Sequence, residues 1–195
     1  MEAQNSLPAT IASIIYVDAI LEIVTPTIGG LYGHFCSRDL QGNIKKGGFN
    51  ETACAAMEED TPACERLARS CVETYDRNIC AYASKFCEEG LGKWFETDVN
   101  EGRRDSYDDR KKCTGEPPVC NEIGRPLESY LRRSHVLEAL GIDSGFKFKG
   151  INMEVYDSYR RSGDYYVPTT RELSWILGQT DIRVLVLNGN NDGFA

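Results

Sequence analysis

Eight cysteines are the feature of this sequence that most constrains its fold. They all lie in the middle of the 195-residue chain, and none of them forms a Cys-x-x-Cys pair. Zinc sites usually bring in their ligands at spacings of two to four residues, so an even and clustered set without such pairs favours disulfides over zinc. Disulfides in turn imply an oxidising compartment.

Composition excludes several classes of protein. Hydrophobic residues make up 41% of the chain and charged residues 27%, which rules out a disordered tail or a fibrous repeat. The net charge of −8 argues against nucleic acid or an anionic membrane as a partner. The two histidines, His34 and His135, leave little room for a metal site. We therefore predict neither a metal nor a cofactor.

The disulfides imply a secretory compartment, but the start of the sequence does not resemble a signal peptide. Asn50, Glu51 and Thr52 form a glycosylation sequon, which fits a secretory protein. The first ten residues contain no Lys or Arg, and the apolar stretch that follows carries Asp18 and Glu22. Such a stretch is neither a signal peptide nor a membrane span. The sequence therefore indicates a piece of a longer protein.

Residues 1–49 predict one buried element and two loops. Residues 11–24 are rich in Ile and Val, which favours a strand, with a helix as the alternative. The Pro and Gly residues at 26–33 predict a loop, and residues 41–50 predict a second one.

Residues 50–125 differ in composition from the rest of the chain. Residues 51–89 are rich in Ala, Glu and Arg, with cysteines at helical spacing. Cys64 and Cys71 are seven apart and share a helix face, and so do Cys80 and Cys87. Two short antiparallel helices joined by disulfides would account for both spacings, and this unit is interpreted as scaffolding. The charged residues within 97–125 predict a solvated loop.

Residues 126–195 predict two helices and a strand. Pro126 is a favourable first residue for a helix that ends at Gly141 and carries a structural His135. A second helix is predicted at 170–177. The apolar run 182–187 is typical of a central parallel strand buried on both faces. Functional residues of open α/β sheets follow the carboxyl ends of such strands, which is where NGNND lies here.

Four motifs in order resemble one family. The spacing of the cysteines from Cys54 to Cys87 comes first, followed by YDDRKKC at 107–113, YLRRSHVLEALG at 130–141 and VLVLNGNND at 184–192. These motifs resemble serine carboxypeptidases of the carboxypeptidase Y type, whereas residues 1–49 match loosely. The resemblance implies an α/β fold: part of an α/β-hydrolase sheet, with residues 50–125 as a disulfide-rich helical insertion and 126–195 as helices and the central strand.

The resemblance also implies roles for individual residues. Asp192 would be the aspartate of the catalytic triad, and Tyr107 would line the pocket for the leaving residue. The pairing of the cysteines would be Cys36 with Cys54, Cys64 with Cys87, Cys71 with Cys80, and Cys113 with Cys120. The substrates would be the C-termini of peptides or proteins, and the location extracellular, vacuolar or lysosomal.

Two members of the triad are missing from the sequence. The family's order is Ser on a sharp turn, then Asp, then His, yet the chain has no Gly-x-Ser-x-Gly, and both of its histidines precede Asp192. The sequence therefore predicts a truncated carboxypeptidase that is inactive as this chain alone. The alternative is a non-catalytic, secreted, cysteine-rich helical binding module or a pseudoenzyme.

Overall fold

The structure, a computed structural model, describes residues 11–17, 27–115, 117, 120, 124–150, 152–189 and 191–192. Two strands lie near the ends of this part of the chain, β1 (Ser13–Val17) and β2 (Arg183–Leu187). Between them the α-helices are α1 (Glu51–Thr74), α2 (Arg77–Cys87), α3 (Lys93–Asn100), α4 (Gly124–Leu131), α5 (Ser134–Ala139), α6 (Met153–Arg161) and α7 (Thr170–Gln179). Segments Thr27–Gly33 and Glu88–Gly92 are π-helical, and Asp164–Tyr166 is a 3-10 turn.

Helices α1 and α2 form the antiparallel pair that the cysteine spacing predicts, although α1 is a single helix of 24 residues rather than a short one. Asn50 caps its start, since the Asn50 Oδ1 accepts the Ala53 N–H at 2.8 Å. The helix continues through Pro62, which removes one backbone hydrogen bond. Met57 and Cys64 on either side of Pro62 are fully buried, and their packing offsets that loss.

Four disulfides join the cysteines in the same pairs as the resemblance implies. Cys64–Cys87 and Cys71–Cys80 link α1 to α2, and Cys36–Cys54 links the segment before α1 to its first turn. Cys113–Cys120 closes a later loop. The core of the described chain is built around these bonds. It also takes in apolar side chains from α1, α3 and the segments on either side of them, among them Leu31, Phe35, Phe49, Met57, Leu91, Phe95 and Val99.

Two segments predicted as loops are helical instead. Residues 27–33, of the predicted loop at 26–33, are π-helical, and Leu31 and Phe35, four positions apart, both pack into the core. Helix α3 extends to Asn100, into the range predicted as a loop, because Phe95 and Val99 lie on one face and are buried. In both places, burial of one helical face outweighs the loop-like composition. The predicted loop at 41–50 is confirmed, with turns and bends up to Gly48.

The predicted helix from Pro126 to Gly141 is divided into α4 and α5. The backbone of Arg133 is extended between them, and the guanidinium of Arg132 donates to the Phe148 carbonyl at 2.8 and 2.9 Å. Gly141 has a φ of +68°, the left-handed conformation expected where a helix ends. His135 is exposed on α5. Helix α7 contains the predicted helix at 170–177, and α6 was not predicted.

Strands β1 and β2 pair in parallel, in register from Ser13 opposite Arg183 to Val17 opposite Leu187. The parallel pairing is the one that the apolar run at 182–187 predicts. Burial on both faces is wrong for the described residues, since Leu185 is 48% exposed and Ile15 is 61% exposed. The reason is that the described sheet has two strands, which leaves much of each face uncovered.

Candidate active site

The loop after β2 carries the predicted triad acid. Strand β2 ends at Leu187, and Asp192 follows it at the carboxyl end of the strand, half-buried. The Asp192 N–H donates to the Gly189 carbonyl at 3.4 Å, so that the chain turns back on itself there. We call residues 188, 189, 191 and 192 together the strand-end loop. A carboxylate at this end of a parallel strand is placed as open α/β sheets place functional groups.

A second loop, residues 104–111, lies against the strand-end loop. The Asp109 N–H donates to the Asn191 carbonyl at 2.9 Å, which joins the two loops. Tyr107, the predicted pocket residue, belongs to this second loop and is 46% exposed. The structure therefore brings together the loops of both predicted site residues, which are far apart in the sequence.

Residues 104–106 correct the prediction of a solvated face. Arg104, Asp105 and Ser106 are buried. The Asp105 Oδ1 accepts the N–H of Tyr107 at 2.8 Å and that of Asp108 at 3.2 Å, so this carboxylate organises the backbone of the loop. This part of the charged run thus folds inward because the buried Asp105 carboxylate accepts backbone N–H groups of its own loop.

Arg104 connects the loop to the core. Its guanidinium carbon lies 4.3 Å from the centre of the Phe35 ring, a cation–π contact. Nη2 donates to the Gly47 carbonyl at 3.0 Å and to the Asp98 carboxylate at 3.3 Å. Nη1 donates to the Asp109 carbonyl at 3.2 Å. The side chain is 10% exposed, so these contacts replace much of the water that the charge loses, whereas Nε is buried without a hydrogen-bond partner in the described part of the chain.

Asp108 is held ionised by two cations. Its carboxylate accepts from Arg110 Nε at 2.7 Å and from Lys111 Nζ at 2.9 Å. The hydrogen bond from Arg110, and then that from Lys111, holds the pKa of Asp108 well below its usual range. Asp108 is therefore a poor candidate for a group that gives up or takes a proton at neutral pH.

A histidine that sequence reasoning placed in an unrelated segment contacts this site. His34 Nε2 lies 3.0 Å from Asp109 Oδ2, with the imidazole 55% exposed and the Asp109 side chain 8% exposed. No local pattern in the sequence signals this pair, because 75 positions separate its members.

The described part of the chain offers neither a group of metal ligands nor a membrane-spanning helix. It holds no cluster of three or more His, Cys, Asp or Glu side chains that could bind a metal ion. None of its helices is both long enough and apolar enough to span a bilayer.

Curated proteins similar to this chain are named carboxypeptidase Y or its homologue. Carboxypeptidase Y homolog A of Aspergillus oryzae is 27% identical over 162 residues, which are 83% of this chain and 28% of that protein. The homolog A of Ajellomyces capsulatus is 28% identical over 145 residues, 74% of this chain and 25% of that protein. Carboxypeptidase Y of Schizosaccharomyces pombe is 29% identical over 162 residues, 83% of this chain and 15% of that protein.

These relatives confirm the resemblance to serine carboxypeptidases of the carboxypeptidase Y type, and this chain is their homologue. The matches span between 15% and 28% of the length of these relatives. No protein-family model matches the sequence.

Proposed function

We propose that this chain is the part of a serine-type carboxypeptidase that contains the disulfide-rich helical insertion and the aspartate of the catalytic triad. The observation that carries the proposal is the position of Asp192, at the carboxyl end of a strand in a parallel pair. The names of the curated relatives support the same assignment. In this proposal β1 and β2 are neighbouring strands of a larger α/β-hydrolase sheet.

In the proposed reaction the carboxylate of Asp192 works beside the imidazole of the catalytic histidine. In the complete site a serine attacks the carbonyl carbon of the last peptide bond, and a histidine takes the hydroxyl proton and passes it to the leaving amine. Asp192 accepts a hydrogen bond from that histidine. This bond fixes the tautomer of the imidazole and stabilises the imidazolium that forms when the histidine takes the proton. Tyr107, on the adjoining loop, lines the pocket for the released residue. Water then cleaves the acyl-enzyme.

The proposal assigns this chain a location as well as a reaction. Four disulfides support folding in the secretory pathway, with an extracellular, vacuolar or lysosomal destination. Its substrates are the C-termini of peptides or proteins. The reaction as proposed uses side chains alone, without a metal or an organic cofactor.

A hybrid enzyme tests the function. This chain replaces the matching segment of the Schizosaccharomyces pombe relative, whose remaining segments supply a serine elbow and a histidine. We expect the hybrid to release the last amino acid from an N-blocked dipeptide, measured by chromatography of the free amino acid, and the unmodified chain to release none. Release by the unmodified chain, or a folded hybrid without activity, would overturn the proposal.

The second candidate is a non-catalytic binding module. One observation favours it: the residues of the core cluster all lie between Leu31 and Cys120, so this body has a core without contributions from β1 or β2. A module of this kind would bind a peptide C-terminus without cleaving it. A folded but inactive hybrid that still bound an N-blocked dipeptide would favour this candidate.

Asn50 is proposed to carry a glycan. It is exposed, and its helix cap uses Oδ1, whereas a glycan is attached to Nδ2, so the cap and the modification are compatible. We expect the chain from a secretory host to lose mass on treatment with an N-glycosidase. Thr52→Ala should abolish this loss and leave the stability unchanged, because it removes the sequon but keeps the cap. Asn50→Ala should abolish it and also cost about 1 kcal/mol of stability. An unchanged glycan in Thr52→Ala would contradict the assignment.

A further inference from the structure

We propose that His34 is a positioning residue that acts through Asp109 to hold the strand-end loop, and with it the carboxylate of Asp192, in place. The inference rests on the proposed function in taking Asp192 as the triad acid. The connection from His34 to the strand-end loop consists of two hydrogen-bonded contacts and does not depend on that assignment.

The first contact is the pair between His34 and Asp109. The side chain of Asp109 is buried, and its Oδ2 lies 3.0 Å from His34 Nε2. A carboxylate only accepts hydrogen bonds, so His34 Nε2 is the donor in this pair. The other oxygen, Oδ1, is buried and has no hydrogen-bond partner in the described part of the chain. Because a buried carboxylate is costly without a donor, His34 has a large effect on where this side chain lies.

The second contact links Asp109 to the strand-end loop through the backbone. The Asp109 N–H donates to the Asn191 carbonyl at 2.9 Å. The Asn191 carbonyl and the Asp192 nitrogen belong to the same planar peptide unit. Fixing the direction of this carbonyl therefore also fixes the orientation of the Asp192 N–H. The same nitrogen donates to the Gly189 carbonyl. A shift of Asp109 would therefore turn the peptide that carries the triad acid.

At its His34 end, the connection is fixed to the disulfide-rich core. Two residues after His34, Cys36 is bonded to Cys54 in the first turn of α1. The His34 ring packs edge-on against Phe35, with the ring centres 4.7 Å apart, and Phe35 is in the core. His34 thus transmits the position of the disulfide-rich core to the strand-end loop. Arg104 donates a hydrogen bond to the Asp109 carbonyl at 3.2 Å, and this bond restricts rotation of the Asp109 backbone.

Substitutions at His34 test the connection in the full chain. His34→Gln places an amide N–H near the position of Nε2 and should keep the hydrogen bond, whereas His34→Asn places it near Nδ1 and should lose the bond. We expect the exchange rate of the Asp109 amide hydrogen to rise roughly tenfold or more in His34→Asn and less than about threefold in His34→Gln. His135→Asn, at the exposed histidine of α5, is the matched control and should change nothing. An unchanged rate in His34→Asn, or equal rates in the Asn and Gln variants, would overturn the proposal.

Kinetics in the hybrid separate a positioning role from a merely structural one. His34→Asn should lower kcat about tenfold at unchanged KM, and His34→Gln should restore most of it, because a displaced acid weakens the histidine but not substrate binding. A change in KM alone would overturn the positioning role. If the exchange data hold while Asp192→Asn leaves the hybrid active, the connection is correct and the proposed function is wrong. If Asp192→Asn inactivates the hybrid while exchange is unaffected by His34→Asn, the function is correct and this inference is wrong.

Discussion

Asp192→Asn in the hybrid enzyme should lower kcat about 10⁴-fold, the loss that the equivalent change causes in a serine protease of another fold. An amide in place of the carboxylate presents an N–H donor as well as an acceptor, so it no longer holds the histidine in the tautomer that accepts the serine proton. It also fails to stabilise the imidazolium that forms in the transition state. Initial rates with an N-blocked dipeptide would measure the loss.

Asp181→Asn is the matched control for this prediction. Asp181 is exposed and lies two residues before β2, so it is an aspartate next to the opposite end of the same strand. We expect its substitution to change kcat less than about twofold. Equal losses from the two variants would show a general effect on the strand, and full activity in Asp192→Asn would show that another group is the acid.

Arg104→Ala should lower the free energy of unfolding by about 3–5 kcal/mol, the cost of breaking a buried charged pair. The substitution leaves the Asp98 carboxylate without one of its cations and the carbonyls of Gly47 and Asp109 without their donor. It also removes the cation that covers the Phe35 ring. Urea unfolding of the chain with its disulfides intact would measure the change.

Two further variants serve as comparisons for the free energy of unfolding of Arg104→Ala. Arg103→Ala removes the neighbouring arginine, which is 54% exposed and also pairs with Asp98, and should cost less than about 1 kcal/mol. Arg104→Lys keeps the charge but loses the planar fork that reaches several acceptors, so its cost should be intermediate. A loss in Arg104→Ala no larger than that in Arg103→Ala would show that the contacts of the buried guanidinium do not stabilise the fold.

The helical body was predictable because its signals are local. Cysteines seven apart and an Ala-rich composition indicate the faces of α1 and α2, and the change in composition at Glu51 indicates where α1 begins. The glycine-rich composition at 27–33 was misleading, because the burial of Leu31 and Phe35 decides the conformation there. The break between α4 and α5 depends on the contact of Arg132 with a distant carbonyl, which no local pattern reports.

The candidate site was predictable only where a motif resembles a known one. Asp192 and Tyr107 came from such motifs, and their roles remain proposals. The burial of Arg104 was not predictable, since it depends on Phe35 and Phe49, two aromatic side chains from a distant segment. The contact of His34 with Asp109 was likewise invisible, because it exists only once two segments that are 75 positions apart have folded together.

The pairing of β1 with β2 has a consequence for how the chain is synthesised. The four disulfides close loops with sequence separations of 7, 9, 18 and 23 residues, whereas the pairing of Ser13 with Arg183 closes a loop that takes in most of the chain. Closing a longer loop costs more entropy, and domains generally fold from the N-terminal side as the ribosome extends the chain. Strand β1 is made first, yet it must wait for β2, which emerges after every helix of the described chain. During that interval β1 lacks this partner, and its unpaired edge is a template for pairing with another chain.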